Sequence, residues 1–273
     1  MGRYRDLFDL SGRVAVVTGG AGILGSETSA ALADHGARVA VVDIDLERAE
    51  ERAAALTEEF GTPSLGLSCD VSDPTSVATM AERVERELGP IAILHNNAAT
   101  KGPDLAKMFA SVEDYDLDTW RAIMAVNLDG LFLVAQQVGS RMAARGAGSI
   151  IQTASIYGAT MGPDQRIYEG SEYLGRPINT PPVYSASKGG VAGLTLYLAT
   201  YWAAQGVRVN TLTPGGIASG QNDEFARRYS ARVPLGRMAE ASEVAAGLLF
   251  LASDASSYVT GQNLHVDGGL SAW

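Results

Sequence analysis

From Arg13 onward the chain alternates short apolar runs with longer amphipathic ones, and that rhythm admits very few folds. Within Arg13–Thr18, Val14 to Val17 are all Val or Ala, the pattern of a strand buried on both faces. A helical pattern follows over Gly25–His35, then a strand at Arg38–Asp43 and a charged amphipathic helix over Leu46–Phe60. Further strands are expected at Ser64–Cys69, Ile91–His95, Ser149–Thr153, Val207–Leu212 and Asn263–Val266. Between them lie helical patterns over Pro74–Leu88, Leu117–Arg145, Tyr184–Gln205 and Ala241–Leu251. Such alternation predicts an α/β fold, with a doubly wound parallel sheet of about seven strands and helices on both faces. No repeat or composition break divides the chain, so one domain over 1–273 is expected.

Hydrophobic residues make up 46% and charged residues 19%, which supports a buried core rather than a disordered chain. The formal charge of -10 argues against nucleic acid as a partner, because a phosphate-binding face needs a basic patch. The lone Cys69 excludes an intrachain disulfide and is expected in the core. The N-terminal stretch is charged and has no signal-peptide apolar region, and Asp6 stands where myristoylation needs Ser or Thr. No apolar run is read as approaching the ~18 residues of a membrane span, so a cytoplasmic location with no membrane partner is expected. His35, His95 and His265 are scattered without metal-ligand spacing, so no metal is expected, and His95 reads as a packed strand-end residue.

The first strand runs through Thr18-Gly19-Gly20-Ala21-Gly22-Ile23-Leu24-Gly25 into a helix. Glycines there let the backbone approach a pyrophosphate, which a helix N-terminus attracts. The second strand ends at Asp43, about twenty residues further on, where a carboxylate accepts bonds from ribose hydroxyls and repels a 2′-phosphate. NAD is therefore expected over NADP. Asp43 also reads as a turn or N-cap residue, a role for which Asp45 competes. Together these features give the sheet a Rossmann-type reading.

Tyr184 and Lys188 are four residues apart on an expected helix and share one face. The ammonium is expected to favour the phenolate and lower the Tyr184 pKa from about 10.

With these segments in place, the chain resembles the single-domain short-chain dehydrogenases/reductases over nearly its whole length, to Asp267-Gly268-Gly269. The family motif TGxxxGxG ends at Gly25, but Ile23 stands at its middle glycine, with Gly22 beside it. The resemblance implies that Gly19, Gly22, Ile23, Leu24 and Gly25 hold a dinucleotide. It places Asp70 and Val71 near the adenine, although Asp70 also reads as a strand-end cap. Asn97 and Ala98 belong to a segment similar to NNAG. Pro214, Gly215, Ile217 and Ser219 belong to one similar to PGxxxT, with the Ile217 amide meeting the nicotinamide carboxamide.

The resemblance also implies a catalytic tetrad. Tyr184 is the acid or base, Lys188 tunes it and holds the ribose, Ser155 bonds the substrate oxygen, and Asn127 holds a water linking Lys188 to solvent. A homo-oligomer, tetramer or dimer, is implied, with faces around 117–145, 184–205 and 270–273. The expected activity is NAD-dependent interconversion of a secondary alcohol and a ketone. An NADPH-dependent 3-oxoacyl or carbonyl reductase and a non-catalytic dinucleotide sensor or scaffold are the alternatives.

Between Ser155 and Tyr184 the chain is roughly twice as long as the family's usual spacing, so a lid is expected over about 157–182. Its Arg166, Tyr168, Glu169 and Glu172 suit a polyhydroxylated or anionic small molecule; further on, Arg227 and Arg228 read either as partners for a phosphate or carboxylate or as a solvated helix face. Arg166-Ile167-Tyr168-Glu169-Gly170, the glycine turn and Gly215-Gly216-Ile217 are similar to a subgroup tied to bacterial sugar and amino-sugar (legionaminic-acid-type) pathways.

Overall fold

The computed structural model describes residues 2–173 and 175–273. The N-terminal half alternates β1 (Val14–Thr18), α1 (Ile23–Asp34), β2 (Arg38–Asp43), α2 (Leu46–Phe60), β3 (Ser64–Ser68), α3 (Pro74–Glu87) and β4 (Ile91–Asn96). A short α4 (Leu105–Met108) precedes α5 (Leu117–Met124), a π-helical turn at Ala125–Gly130 and α6 (Leu131–Arg145). Then come β5 (Gly148–Thr153), the kinked turn α7 (Ile156–Ala159) and a hairpin of β6 (Glu172–Tyr173) and β7 (Arg176–Pro177). The chain continues with α8 (Pro182–Trp202), β8 (Val207–Pro214), α9 (Asp223–Ser230), α10 (Ala241–Ala252) and β9 (Asn263–Val266).

The 7-stranded sheet has the order β3-β2-β1-β4-β5-β8-β9, and its strands pair in parallel. Strand order reverses between β1 and β4, which opens a crevice at the carboxyl ends of those strands. On one face, Leu32, Leu56 and Leu248 from α1, α2 and α10 pack with Val41 and Ile93. On the other, Met80, Val138 and Trp202 from α3, α6 and α8 pack with Val42 and Ile150. Cys69 is buried there, and desolvation pushes its thiol pKa up, as suits an inert core residue.

Caps fix the loops that frame the crevice. Asp45, not Asp43, caps α2, accepting from the Arg48 amide at 3.2 Å. Pro74 opens α3 behind the Asp73 cap, and Gly61 ends α2 at φ 69°.

The expected helix over Leu117–Arg145 carries a π-helical turn at its centre, and Asn127 lies in that turn. By length and mean hydropathy (1.3) this segment could cross a membrane, contrary to the sequence expectation that no run approached that limit. Its apolar side chains have another use, because Leu131, Val134, Ala135, Val138 and Met142 are buried inside the fold. The 157–182 stretch also differs from a featureless loop. It holds α7, a 3-10 turn at Gln165–Tyr168 and the β6–β7 hairpin, apart from Leu174, which lies outside the described residues.

Candidate active site

A cleft of about 510 Å³ opens at the reversal point. It gathers Gly19, Gly22, Ile23, Leu24, Gly25, Asp43, Asp70, Val71, Asn97 and Ala98, as expected from the sequence, and adds Arg48 and Thr100. A Cβ on Gly25 would sit 2.1 Å from the Gly19 carbonyl oxygen, so only glycine lets α1 start this close to β1. Gly19 takes φ 63°, and the Gly22 amide donates to its carbonyl at 3.1 Å. Gly22 is the N-cap of α1, so the helix begins at Ile23, whose side chain points outward, 60% exposed. Ile23 therefore occupies the middle-glycine position without disturbing the turn. The first amides of α1 have no intrahelical acceptor, and their residues line this glycine-rich cleft, an arrangement that fits a pyrophosphate.

Asp43 braces that turn from β2, its Oδ2 accepting from the Ala21 amide at 3.1 Å. Arg48 donates to the Ala21 carbonyl at 2.7 Å, which brings a cation beside Asp43. Asp70 Oδ1 accepts from the Ser72 amide at 2.9 Å and hydroxyl at 2.6 Å, so it also closes the turn after β3. Thr18 Oγ1 accepts from the amides of Asn97 (2.9 Å) and Ala98 (3.1 Å), and the Asn97 side chain donates to the Thr18 carbonyl at 3.2 Å. Val71 is buried against Gly130.

Pro214, Gly215, Ile217 and Ser219 lie apart from that cleft lining, at and beyond the end of β8. The Gly215 amide donates to the Val266 carbonyl at 3.0 Å, and the Gly216 amide to the Tyr229 hydroxyl oxygen at 2.5 Å. Ile217 pairs with Ala239, yet its own amide has no partner among the described residues. Ser219 is exposed, and its hydroxyl oxygen accepts from the Gln221 side chain at 2.8 Å.

Tyr184 sits in the first turn of α8, with Lys188 one turn on and almost wholly buried. The Lys188 ammonium donates to the Thr153 carbonyl at 2.9 Å, and burial brings its pKa down to about 8. The lowered Tyr184 pKa expected from spacing is not found. Burial pushes the phenol above its ordinary value, and a hydrogen bond with Ser155 offsets only part of that. The ammonium that was expected to stabilise a phenolate is engaged on β5 instead.

Ser155 caps α7, its Oγ accepting from the Tyr157 amide at 3.2 Å. Gly158 locks this turn to α8. It adopts φ 100°, and a Cβ there would lie 2.1 Å from the Ser185 carbonyl oxygen. Asn127 is buried, and its side chain is engaged on both sides by Thr100: Oδ1 accepts from the amide at 2.7 Å and Nδ2 donates to the carbonyl at 3.3 Å.

The insertion and α9 pack against each other and against Tyr184. Tyr184 packs in a cluster with Tyr157, Ile167, Tyr168, Phe225 and Tyr229. Arg228 donates to the Arg166 carbonyl and to Glu169, each at 3.0 Å, and Arg232 pairs with Asp164 at 2.8 Å. Arg228 is thus a latch between the segments, and Arg227 forms a surface pair with Glu224 at 2.8 Å. Neither arginine has the free head expected for a substrate anion.

Residues 13–229 match the family model described as short chain dehydrogenase. The chain belongs to this family. The enzyme is an oxidoreductase acting on alcohol groups. It is 38% identical to a D-threitol dehydrogenase from Mycolicibacterium smegmatis, over 96% of this chain and 94% of that one. It is likewise 38% identical to a galactitol 2-dehydrogenase (L-tagatose-forming) from Cereibacter sphaeroides, over 99% of each. The fold superposes at a TM-score of 0.85 on a gluconate 5-dehydrogenase from Burkholderia cenocepacia in complex with NADP and tartrate. That structure is 33% identical, with 99% of this chain and 100% of that one covered.

Thr153, Gly158 and Tyr229 escaped the sequence reading. Thr153 acts through a backbone carbonyl and Gly158 through a missing Cβ, and neither function has a residue-type signature. Tyr229 holds Gly216 from α9, a partnership between segments that sequence spacing does not show.

Proposed function

We propose that this enzyme interconverts a secondary alcohol and a ketone on a polyol or sugar-derived substrate, with NAD as its cofactor. The observation that carries the reading is the Tyr184–Ser155 hydroxyl pair, held beside buried Lys188 and roofed by a hydrogen-bonded, tyrosine-rich lid. The polyol names of two full-length relatives support the substrate class.

The nicotinamide ring, when bound, supplies the hydride acceptor or donor. Gly19 through Gly25 would hold the pyrophosphate, Asp43 the ribose hydroxyls, and the unpartnered Ile217 amide the carboxamide. Asp70, Val71, Asn97 and Ala98 would frame the adenosine side, while Pro214, Gly215 and Ser219 shape the loop that carries Ile217. Ser155 Oγ orients the reacting oxygen. Tyr184 Oη gives its proton to that oxygen in reduction and takes it in oxidation. Because burial keeps the phenol protonated at neutral pH, Tyr184 is ready as an acid, and oxidation gains from rising pH. With the Asn127 side chain engaged on Thr100, a water serving Lys188 is left to its backbone carbonyl in the π turn.

The carboxylate of Asp43 supports NAD. Arg48, in the same cleft, is the observation that favours NADP, and NAD and NADP affinities measured side by side decide between them. The fold also supports a single domain, with 157–182 acting as a lid. Exposed Leu196, Tyr197 and Tyr201 on α8 and Phe132 on α6 support a homo-oligomer, and we place the enzyme in the cytoplasm. A panel of polyols, sugar acids, acyl ketones and simple alcohols, followed by NADH absorbance, tests the reading. Polyols should turn over with the highest kcat/KM. Preferred turnover of acyl ketones, or none across the panel despite tight dinucleotide binding, would overturn it.

A further inference from the structure

His95 is a fully buried imidazole for which the mechanism above has no use. It lies on β4, between the two halves of the site. Nδ1 is 3.0 Å from Thr28 Oγ1, and Nε2 is 2.8 Å from Thr153 Oγ1. Thr28 belongs to α1, and its hydroxyl also lies 3.0 Å from the Leu24 carbonyl and 3.1 Å from the Gly25 carbonyl. By donating there, Thr28 accepts from His95 Nδ1–H, which leaves the Nε2 lone pair to accept from the Thr153 hydroxyl. The Thr153 carbonyl in turn accepts from Lys188 Nζ at 2.9 Å.

A continuous chain of bonds thus runs from the first turn of α1, at the nucleotide cradle, to the ammonium beside Tyr184. Every member needs the imidazole neutral, with one donor and one acceptor nitrogen. Burial and the nearby Lys188 charge enforce that state, bringing the His95 pKa down to about 3.

We propose that His95 is a positioning residue for Lys188: it fixes Thr153, so that the Thr153 carbonyl holds the ammonium in register with Tyr184, and it ties that register to the glycine turn. Two features argue for more than core filling. Thr153 is joined to His95 through its side chain and to Lys188 through its backbone, so a shift of this one residue disturbs both links. The partners also come from two separate elements, α1 and β5, which this side chain joins from β4. The proposal rests on the assignment of Tyr184 and Lys188 made above.

Amide side chains separate the two bonds of the ring. Asn reaches the Nδ1 position and keeps the Thr28 bond, whereas Gln reaches the Nε2 position and keeps the Thr153 bond. The full-length enzyme, saturated with dinucleotide and assayed on its best polyol below each variant's unfolding midpoint, should lose at least tenfold in kcat with His95→Asn. His95→Gln should stay within about threefold of wild type. Thr153→Val should match His95→Asn, Thr153→Ser should recover most of the rate, and the His95→Asn/Thr153→Val double variant should be no slower than either single one. The Thr153 pair decides the matter even if a His95 variant fails to fold. Equal losses for Asn and Gln, additive losses in the double variant, or wild-type kcat in His95→Asn would each overturn the proposal. A Tyr184→Phe enzyme with full turnover would instead overturn the site reading beneath it.

Discussion

Gly158→Ala tests whether Ser155 and Tyr184, the proposed catalytic pair, are held together by backbone contact. Gly158 has φ 100°, a conformation that costs an L-residue about 1–2 kcal/mol. The new methyl would also lie 2.1 Å from the Ser185 carbonyl oxygen and 3.0 Å from the Gly189 amide nitrogen. Both are backbone atoms of the helix that carries Tyr184 and Lys188, so no side-chain rotation relieves the contact. Forced packing of this kind costs about 1–3 kcal/mol, which brings the expected loss to about 2–5 kcal/mol. At a few degrees per kcal/mol, Tm should fall by on the order of 10 °C. Whatever strain is relieved by moving α7 shifts Ser155 away from Tyr184, and a displacement near 1 Å costs about 100-fold in rate. Calorimetry paired with steady-state kinetics reads both effects. We expect the lower Tm together with a fall of at least tenfold in kcat, with the KM for the dinucleotide unchanged because the glycine cleft is untouched. Gly162→Ala is the control, since its Cβ meets nothing within 4 Å. Wild-type Tm and kcat in Gly158→Ala would refute the reasoning.

Two further outcomes follow from charge. Burial lowers Lys188 from 10.5 to about 8, so between those values the unfolded chain binds more protons than the folded one and stability rises with pH. Lys188→Met should therefore gain up to about 3 kcal/mol over wild type near pH 7, less the lost Thr153 bond, and that gap should narrow towards pH 10 in urea unfolding; a gap independent of pH contradicts this. Asp43→Ser removes the charge that opposes a 2′-phosphate while Arg48 stays in the cleft. The NADP-to-NAD ratio of kcat/KM should rise at least tenfold, about 1.4 kcal/mol, and an unchanged ratio would show that Asp43 does not set the preference.

The sheet was legible because its strands are continuous apolar runs bounded by helical periods. β2, α2 and β9 fall at their sequence-read bounds. The cradle was legible for a related reason, since Gly25 leaves no room for a Cβ and Gly19 takes a positive φ. What escaped depends on partners distant in sequence. The π turn around Asn127 keeps the apolar spacing of an ordinary helix, so periodicity does not reveal it. The charged stretch at α9 reads as a solvated face until Phe225 and Tyr229 are seen packing with Tyr168 of the insertion. Spacing correctly placed Tyr184 and Lys188 on one helix, but it was silent on where the ammonium points. The ammonium is engaged on the Thr153 carbonyl, and burial of the phenol is what turns the expected shift upward.

The central claim is that Tyr184 carries the proton in alcohol–ketone exchange. Its most direct test is turnover of the best polyol by Tyr184→Phe, with dinucleotide binding measured on the same sample. Loss of a positioned acid–base group should lower kcat by about 10²–10⁴-fold while leaving dinucleotide affinity within a few fold. Turnover at the wild-type rate with binding intact would contradict the account.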